Sequence, residues 1–152
     1  MKSTNPITAL AVTVLVLTGG LLAEEAQVIT KGAVGKGDVS FQATSDQFES
    51  YRTKYEIEFE VTGRDEDAFT AVIRDPGTRY RPAMVARING ALGDKQGLTM
   101  EVVEIQKGQW FKEVPKKLTG KLMGTRVRCE WSENDPPKQS FGYFQVTLHP
   151  RN

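Results

Sequence analysis

Basic and aromatic side chains lie close together in the middle of the chain. Residues 107–128 contain seven lysines and arginines but a single acidic residue, Glu113. Cationic side chains attract phosphate, sulfate or carboxylate groups, and aromatic faces add stacking or cation–π contacts. This pattern predicts that a ligand of the protein would be an anion or an anionic polymer. The candidate ligand-binding residues are Arg74, Arg79, Tyr80, Arg81, Trp110, Lys116 and Lys117.

Acidic side chains are concentrated in a different segment, residues 44–67, which contains eight acids and three bases. Three interpretations of this charge segregation are open. The glutamates within residues 56–60 could face Arg126 and Arg128 in one sheet, where each pair would contribute at most about 1 kcal/mol. Alternatively, the basic segment binds an anion, or it presents a charged surface to a protein partner. The order in which the strands pair separates the first interpretation from the other two.

Residues with the chemistry for catalysis are few. His149 is the only histidine, and nothing in the sequence fixes it beside a nucleophile. Glu56, Glu58 and Glu60 would share one strand face at a spacing of roughly 7 Å, near the carboxylate separation of inverting glycosidases. A solvated strand face has the same pattern. The sequence therefore favours a non-catalytic binding or interaction domain, and the alternatives are a small carboxylate-dependent hydrolase and a membrane-anchored assembly component.

Metal ligands and reactive thiols are equally scarce. One cysteine and one histidine are too few for a structural zinc site. The acidic turn at residues 65–67 offers oxygen ligands, but its spacing matches no calcium-binding loop. Cys129 would share a strand face with Val127 and Trp131, which predicts a buried and unreactive thiol. We therefore predict neither a metal nor a cofactor.

The first 23 residues have the pattern of a secretory signal peptide. Lys2 is their only charged residue, and Ile7–Ala23 is an almost uninterrupted run of apolar and small residues. Ala23 is small enough for signal peptidase cleavage, although Leu21 is larger than the residue preferred two positions earlier. We expect residues 1–23 to be removed. The alternatives are a retained membrane anchor, since this run is near the shortest that spans a bilayer, and a buried helix of the domain.

The rest of the chain is electrically balanced, because 19 acidic and 19 basic residues follow residue 23. This balance gives no strong signal for nucleic-acid binding. A single cysteine excludes an internal disulfide, which among exported proteins is more typical of the bacterial periplasm than of small eukaryotic secreted domains. We expect a periplasmic or secreted protein whose partner is unknown. It would contact a membrane only if residues 1–23 were retained.

Alternation of polar and apolar residues predicts a single β-rich domain over residues 38–152, preceded by a flexible lead-in at residues 24–37. The clearest strand is Tyr55–Val61, in which apolar side chains alternate with glutamates. A polar turn joins it to a second strand, Ala68–Arg74, as in a β-hairpin. Further strands are predicted at residues 38–43, 98–105, 125–131 and 141–148.

One helix is predicted between the third and fourth strands. Pro82 suits a first helical position, and Gly93 can end the helix. Met84, Ile88 and Leu92 recur between them at helical spacing. Mostly antiparallel strands with one inserted helix predict the α+β class. The order fits a small, partly closed barrel of the OB type; a two-layer β-sandwich and a sheet covered by one helix are the alternatives.

Overall fold

Eight antiparallel strands form a closed barrel in the computed structural model, which describes residues 28–44, 50–135 and 138–151. Each strand pairs with its neighbours in sequence, and the last strand pairs with the first. The prediction of a mostly antiparallel barrel is therefore confirmed in broad terms. The strands are β1 (Val34–Thr44), β2 (Ser50–Asp65), β3 (Ala68–Asp75), β4 (Met84–Leu92), β5 (Gly97–Lys107), β6 (Lys117–Met123), β7 (Arg126–Asp135) and β8 (Lys138–His149).

The helix predicted between Pro82 and Gly93 is wrong, because this segment forms strand β4. Met84, Ala86 and Ile88 are buried in the barrel, whereas the alternate residue Arg87 is exposed. Met84 and Ile88 satisfy the helical and the strand period equally well, so Ala86 decides which period applies. Pairing with β3 on one side and β5 on the other then fixes the extended conformation.

The α+β class is therefore wrong as well, and the described part of the chain is all β. Its one helical segment is a three-residue 3-10 turn, Asp94–Gln96, between β4 and β5. A single closed sheet replaces both the two-layer sandwich and the helix-covered sheet. No helix within the described ranges is long and apolar enough to cross a membrane. The predicted signal segment, residues 1–23, lies outside the described residues.

Apolar side chains fill the interior of the barrel. Phe59 and Phe144 lie at its centre, almost fully buried, with their ring centroids 6.1 Å apart in an edge-to-face arrangement. Burying one such side chain contributes roughly 1.5–3 kcal/mol. Two glycines let the strands approach closely: a side chain at Gly37 would collide with the backbone of β8, and one at Gly120 with the backbone of β7.

Two of the described loops lie at one end of the barrel, which we call the loop end. They are residues 76–83, between β3 and β4, and residues 108–116, between β5 and β6. Gly108, whose φ of 68° is in the left-handed region, lies directly against the backbone of Ala83, so the two loops are in contact. The opposite end is covered by the buried side chain of Ile29.

Side chains of loop 108–116 anchor it over the barrel. Phe111 and Val114 are buried in the core cluster. Glu113, the one acid of the basic segment, accepts a hydrogen bond from the Tyr51 hydroxyl at 2.7 Å, and its carbonyl oxygen accepts one from the Ser140 hydroxyl at 2.6 Å. The loop is thus fixed to both β2 and β8, and its lysines project from an anchored backbone.

Candidate functional site

Strands β6 and β7 carry a row of cations on the outside of the barrel. Leu118 and Leu122 of β6 are buried, so the alternate residues face solvent. The same alternation on β7 buries Val127 and Cys129. We use the term basic face for the outward cations of the two strands and of the adjoining loop. The basic face consists of Lys112, Lys116, Lys117, Lys121, Arg126 and Arg128.

Two of these cations lie directly opposite each other, because Lys121 of β6 is the register partner of Arg128 of β7. Like charges at opposed positions destabilise a sheet by a few tenths of a kcal/mol. Arg128 is held in place by Glu130 at 2.9 Å, by Gln145 at 2.7 Å, and by the Tyr143 ring, whose centroid is 4.4 Å from the guanidinium carbon. One of the two side chains therefore has a fixed position, while its neighbour extends into solvent.

Most of the basic face lacks a counter-charge. Within residues 28–44, 50–135 and 138–151, five of its six cations form no ion pair, and only Arg128 has one, with Glu130. Glu101 of β5 is the register partner of Lys117, but their charged groups lie beyond ion-pair distance. Clustered cations without partners produce a positive potential that attracts anions from solution. The five cations are Lys112, Lys116, Lys117, Lys121 and Arg126.

On the acidic strand β2, Glu58 and Glu60 have cations of neighbouring strands nearby, whereas Glu56 and Asp65 form no ion pair with a described residue. Glu60 accepts a hydrogen bond from Arg74 of β3 at 2.8 Å, and Glu58 lies 4.0 Å from Lys36 of β1. On the neighbouring strand β1, Asp38 likewise has a cation nearby, because it lies 4.0 Å from Lys54 of β2. Both charged segments thus contain unpaired groups, and those of the basic segment lie together on two adjacent strands and the adjoining loop.

The predicted ladder of Glu56, Glu58 and Glu60 with Arg126 and Arg128 is wrong. Strand β2 pairs with β1 and β3, whereas β7 pairs with β6 and β8. In a closed ring of eight strands, β2 and β6 are four strands apart in either direction, on opposite sides of the barrel. The basic segment therefore does not serve to neutralise the acidic one.

The structure places the seven residues predicted to bind a ligand in three groups. Arg74 is on the outer face of β3 and is paired with Glu60. Arg79, Tyr80 and Arg81 lie in loop 76–83. Trp110, Lys116 and Lys117 lie in or directly after loop 108–116. Six of the seven thus lie at the loop end, and Arg74, near the end of β3 that leads into loop 76–83, points outward and pairs with Glu60.

Arg81 has a structural role. Its guanidinium makes a two-pronged ion pair with Asp75, which is only 1% exposed. The same guanidinium lies 4.0 Å from the centroid of the Tyr55 ring, which stacks on Phe111 at 5.0 Å. Asp75 also accepts a hydrogen bond from the Gly77 amide at 2.8 Å. Arg81 therefore joins loop 76–83 to the core, and we do not assign it to a ligand.

Tyr80 and Trp110 have opposite environments. Tyr80 is 89% exposed at the tip of loop 76–83, with the Arg79 guanidinium 5.7 Å from its ring centroid. Trp110 is partly buried, and its indole nitrogen donates a hydrogen bond to the Val114 carbonyl at 2.9 Å. A groove of about 530 Å³ runs beside Trp110 and is also lined by Lys116. This groove continues the basic face onto the loop end.

Comparison with known proteins adds no constraint on the function. No protein-family model and no curated protein matches the chain. The chemistry of the residues described above therefore carries the functional argument.

The carboxylates considered for catalysis are on the outer surface of β2, away from the basic face. Glu58 and Glu60 are each ion-paired, and both remain partly exposed to solvent. His149 is exposed at the end of β8, in a shallow groove that also contains Glu58 and Glu60. Among the described residues, no group of three or more histidine, cysteine or acidic side chains is arranged to hold a metal ion.

Cys129 is buried as predicted. Its side chain has no solvent exposure, and burial raises the pKa of the thiol to about 12 from an ordinary value of 9.0. The thiol is therefore protonated at neutral pH, and it lacks both the charge and the access that a nucleophile needs.

Sequence reasoning assigned Lys116 and Lys117 to the site but omitted Lys121, Arg126 and Arg128, which are its strand-borne members. A usable signal was present for the last two, since Arg126 and Arg128 alternate with buried Val127 and Cys129 and must face outward. The position of Arg128 opposite Lys121 depends on the register of β6 against β7, which cannot be read from the sequence.

Proposed function

We propose that the protein is a non-catalytic binding domain that holds an anionic partner against its basic face. The observation that carries this proposal is the row of unpaired cations on the basic face. Five of its six cations have no counter-charge among the described residues, and they lie on two adjacent strands and the adjoining loop. Neighbouring cations without counter-charges repel each other, and a bound anionic partner would remove this repulsion.

Retention on an anionic column tests this function. We expect the purified protein to bind dextran sulfate, and the salt needed for elution to fall in the double variant Lys116→Glu with Lys117→Glu. Each cation that contacts a linear polyanion contributes about one unit to the dependence of log K on log salt, so the double variant should lower that slope by about two.

A control of equal net charge is the double variant Lys31→Glu with Arg151→Glu. Both residues are exposed and lie at the barrel end opposite the loop end. It should elute near the position of the unmodified protein. Flow-through of the unmodified protein at physiological salt would refute the proposed function, and equal losses in the two double variants would show that net charge, rather than the basic face, is responsible.

We also propose that the protein acts after export, in the periplasm or outside the cell, because of the signal pattern in residues 1–23. Expressed from its full sequence in a bacterium, the protein should be recovered outside the cytoplasm with a mass that corresponds to a start near Glu24. The measurement is intact-mass spectrometry of each cell fraction. Recovery in the membrane fraction with residues 1–23 attached would instead establish an anchored protein, which was the alternative interpretation of this segment.

A further inference from the structure

The basic face is long and narrow. Lys117 and Lys121 are four residues apart on one strand, about 13 Å at the usual rise, and Arg126 of β7 lies opposite Met123, a further two residues along. The strand-borne cations therefore extend over roughly 20 Å along the strand direction, and Lys116 and Lys112 continue the row onto the loop end. Their arrangement is linear rather than clustered around a point.

This spacing favours one kind of anion. A compact anion contacts groups within hydrogen-bond distance, about 3 Å, so it would reach Lys121 and Arg128, which are opposite each other, but not Lys117 as well. A linear polymer with anionic groups along its length would contact all three. Four of the six cations are lysines, whose flexible stems carry point charges that tolerate irregular spacing of the anionic groups.

The side chains between the cations further restrict the polymer. The outward residues that alternate with Lys117 and Lys121 on β6 are Thr119 and Met123. On β8, beside the strand-borne cations, Tyr143 is covered by the Arg128 guanidinium, whereas Phe141 is 52% exposed and lines a pocket with Arg128. Proteins that bind single-stranded nucleic acid stack the bases on aromatic side chains, and no described residue of β6 or β7 presents an aromatic ring outward between the cations. The hydroxyl of Thr119 can instead donate to an oxygen of the ligand.

From these observations we infer that the partner of the basic face is an anionic polysaccharide, bound lengthwise along β6 and β7. This inference rests on the proposed function and adds the shape and chemical class of the ligand. Sulfate or carboxylate groups of the polymer would lie against Lys117, Lys121 and Arg126 in turn, while its uncharged sugar surface would lie over Thr119 and Met123.

A length series of heparin oligosaccharides tests the inference on the full chain. We expect affinity, measured by isothermal titration calorimetry, to rise with oligosaccharide length until the ligand spans roughly 20 Å. For longer oligosaccharides, the affinity of each binding site should stay constant. Inorganic sulfate should compete only weakly. Lys117→Ala and Lys121→Ala should each lower the salt slope by about one, and Lys31→Ala, outside the basic face, should leave it unchanged.

The outcomes separate the inference from the function on which it rests. Absence of binding to every oligosaccharide and to dextran sulfate would overturn the proposed function. Two outcomes would overturn the lengthwise site but not the proposed function. One is equally strong binding of the shortest oligosaccharide, and the other is loss of binding in inorganic sulfate at an equal concentration of charge. Single-stranded DNA that binds as tightly as heparin of the same length would overturn the polysaccharide assignment in favour of a nucleic acid.

Discussion

Replacing Arg81 with alanine should lower the free energy of unfolding by about 3–5 kcal/mol. Asp75 is 1% exposed, and Arg81 makes both of its charge-balancing hydrogen bonds. Without the guanidinium, a carboxylate would remain in the barrel wall with only the Gly77 amide as a donor. The Tyr55 ring would also lose the cation that lies 4.0 Å from its centroid. Urea denaturation followed by circular dichroism measures the loss.

The neighbouring residue provides a matched control for this prediction. Arg79→Ala removes the same charge from the same loop, but Arg79 is exposed and has only a 5.7 Å contact with Tyr80, so the change should stay within about 0.5 kcal/mol. A double variant, Asp75→Ala with Arg81→Ala, should be more stable than Arg81→Ala alone because no buried charge is left. A loss below about 1 kcal/mol for Arg81→Ala would show that the pair behaves as a surface ion pair.

Phe111→Ala should destabilise the protein by about 3 kcal/mol, the lower end of the range for a buried phenylalanine. Phe111 stacks on Tyr55 at 5.0 Å and lies 5.2 Å from the Trp110 ring, so its removal opens a cavity under loop 108–116. Two tryptophans, Trp110 and Trp131, lie near this end of the barrel. Their fluorescence should shift to longer wavelength as water reaches Trp110.

Lys112→Ala is the control for the loop, because Lys112 is adjacent to Phe111 in sequence but exposed. It should alter neither the unfolding free energy nor the fluorescence, while it lowers the salt slope of polyanion binding by about one. Normal fluorescence in Phe111→Ala, together with full stability, would contradict the anchoring of the loop. The two variants thus distinguish the contribution of the loop to stability from the contribution of its charge to polyanion binding.

Alternation of polar and apolar residues predicted strands correctly where the apolar spacing fits the strand period but not the helical period. Tyr55–Val61 was identified because glutamates separate its apolar residues, and it lies within β2. Strand β4 was misassigned because Met84 and Ile88 satisfy two periods at once. Strand β6 was not predicted, because Gly120 occupies an inward position where a side chain would collide with β7 and so interrupts the alternation of apolar residues.

The candidate site was less predictable, because charge pairing depends on which strands are neighbours. Arg74 and Lys117 are both basic residues near a turn, yet Arg74 has Glu60 at 2.8 Å and Lys117 forms no ion pair with any described residue. Asp75 and Arg81 are six residues apart, but their contact requires the turn of loop 76–83. Sequence composition identified the excess of cations, and strand pairing was needed to show which of them lack a partner.

The pairing of β1 with β8 has a consequence for how this chain folds. Val34 and His149 are register partners at opposite ends of the described sequence, whereas every other strand pair joins sequence neighbours. The hairpins can therefore form locally and early, and the seam is completed last because its loop-closure entropy is the largest. Until then β1 and β8 are both open edges that can pair with another chain. We therefore expect closure of the barrel, which is independent of protein concentration, to compete with strand exchange between chains, which increases with concentration.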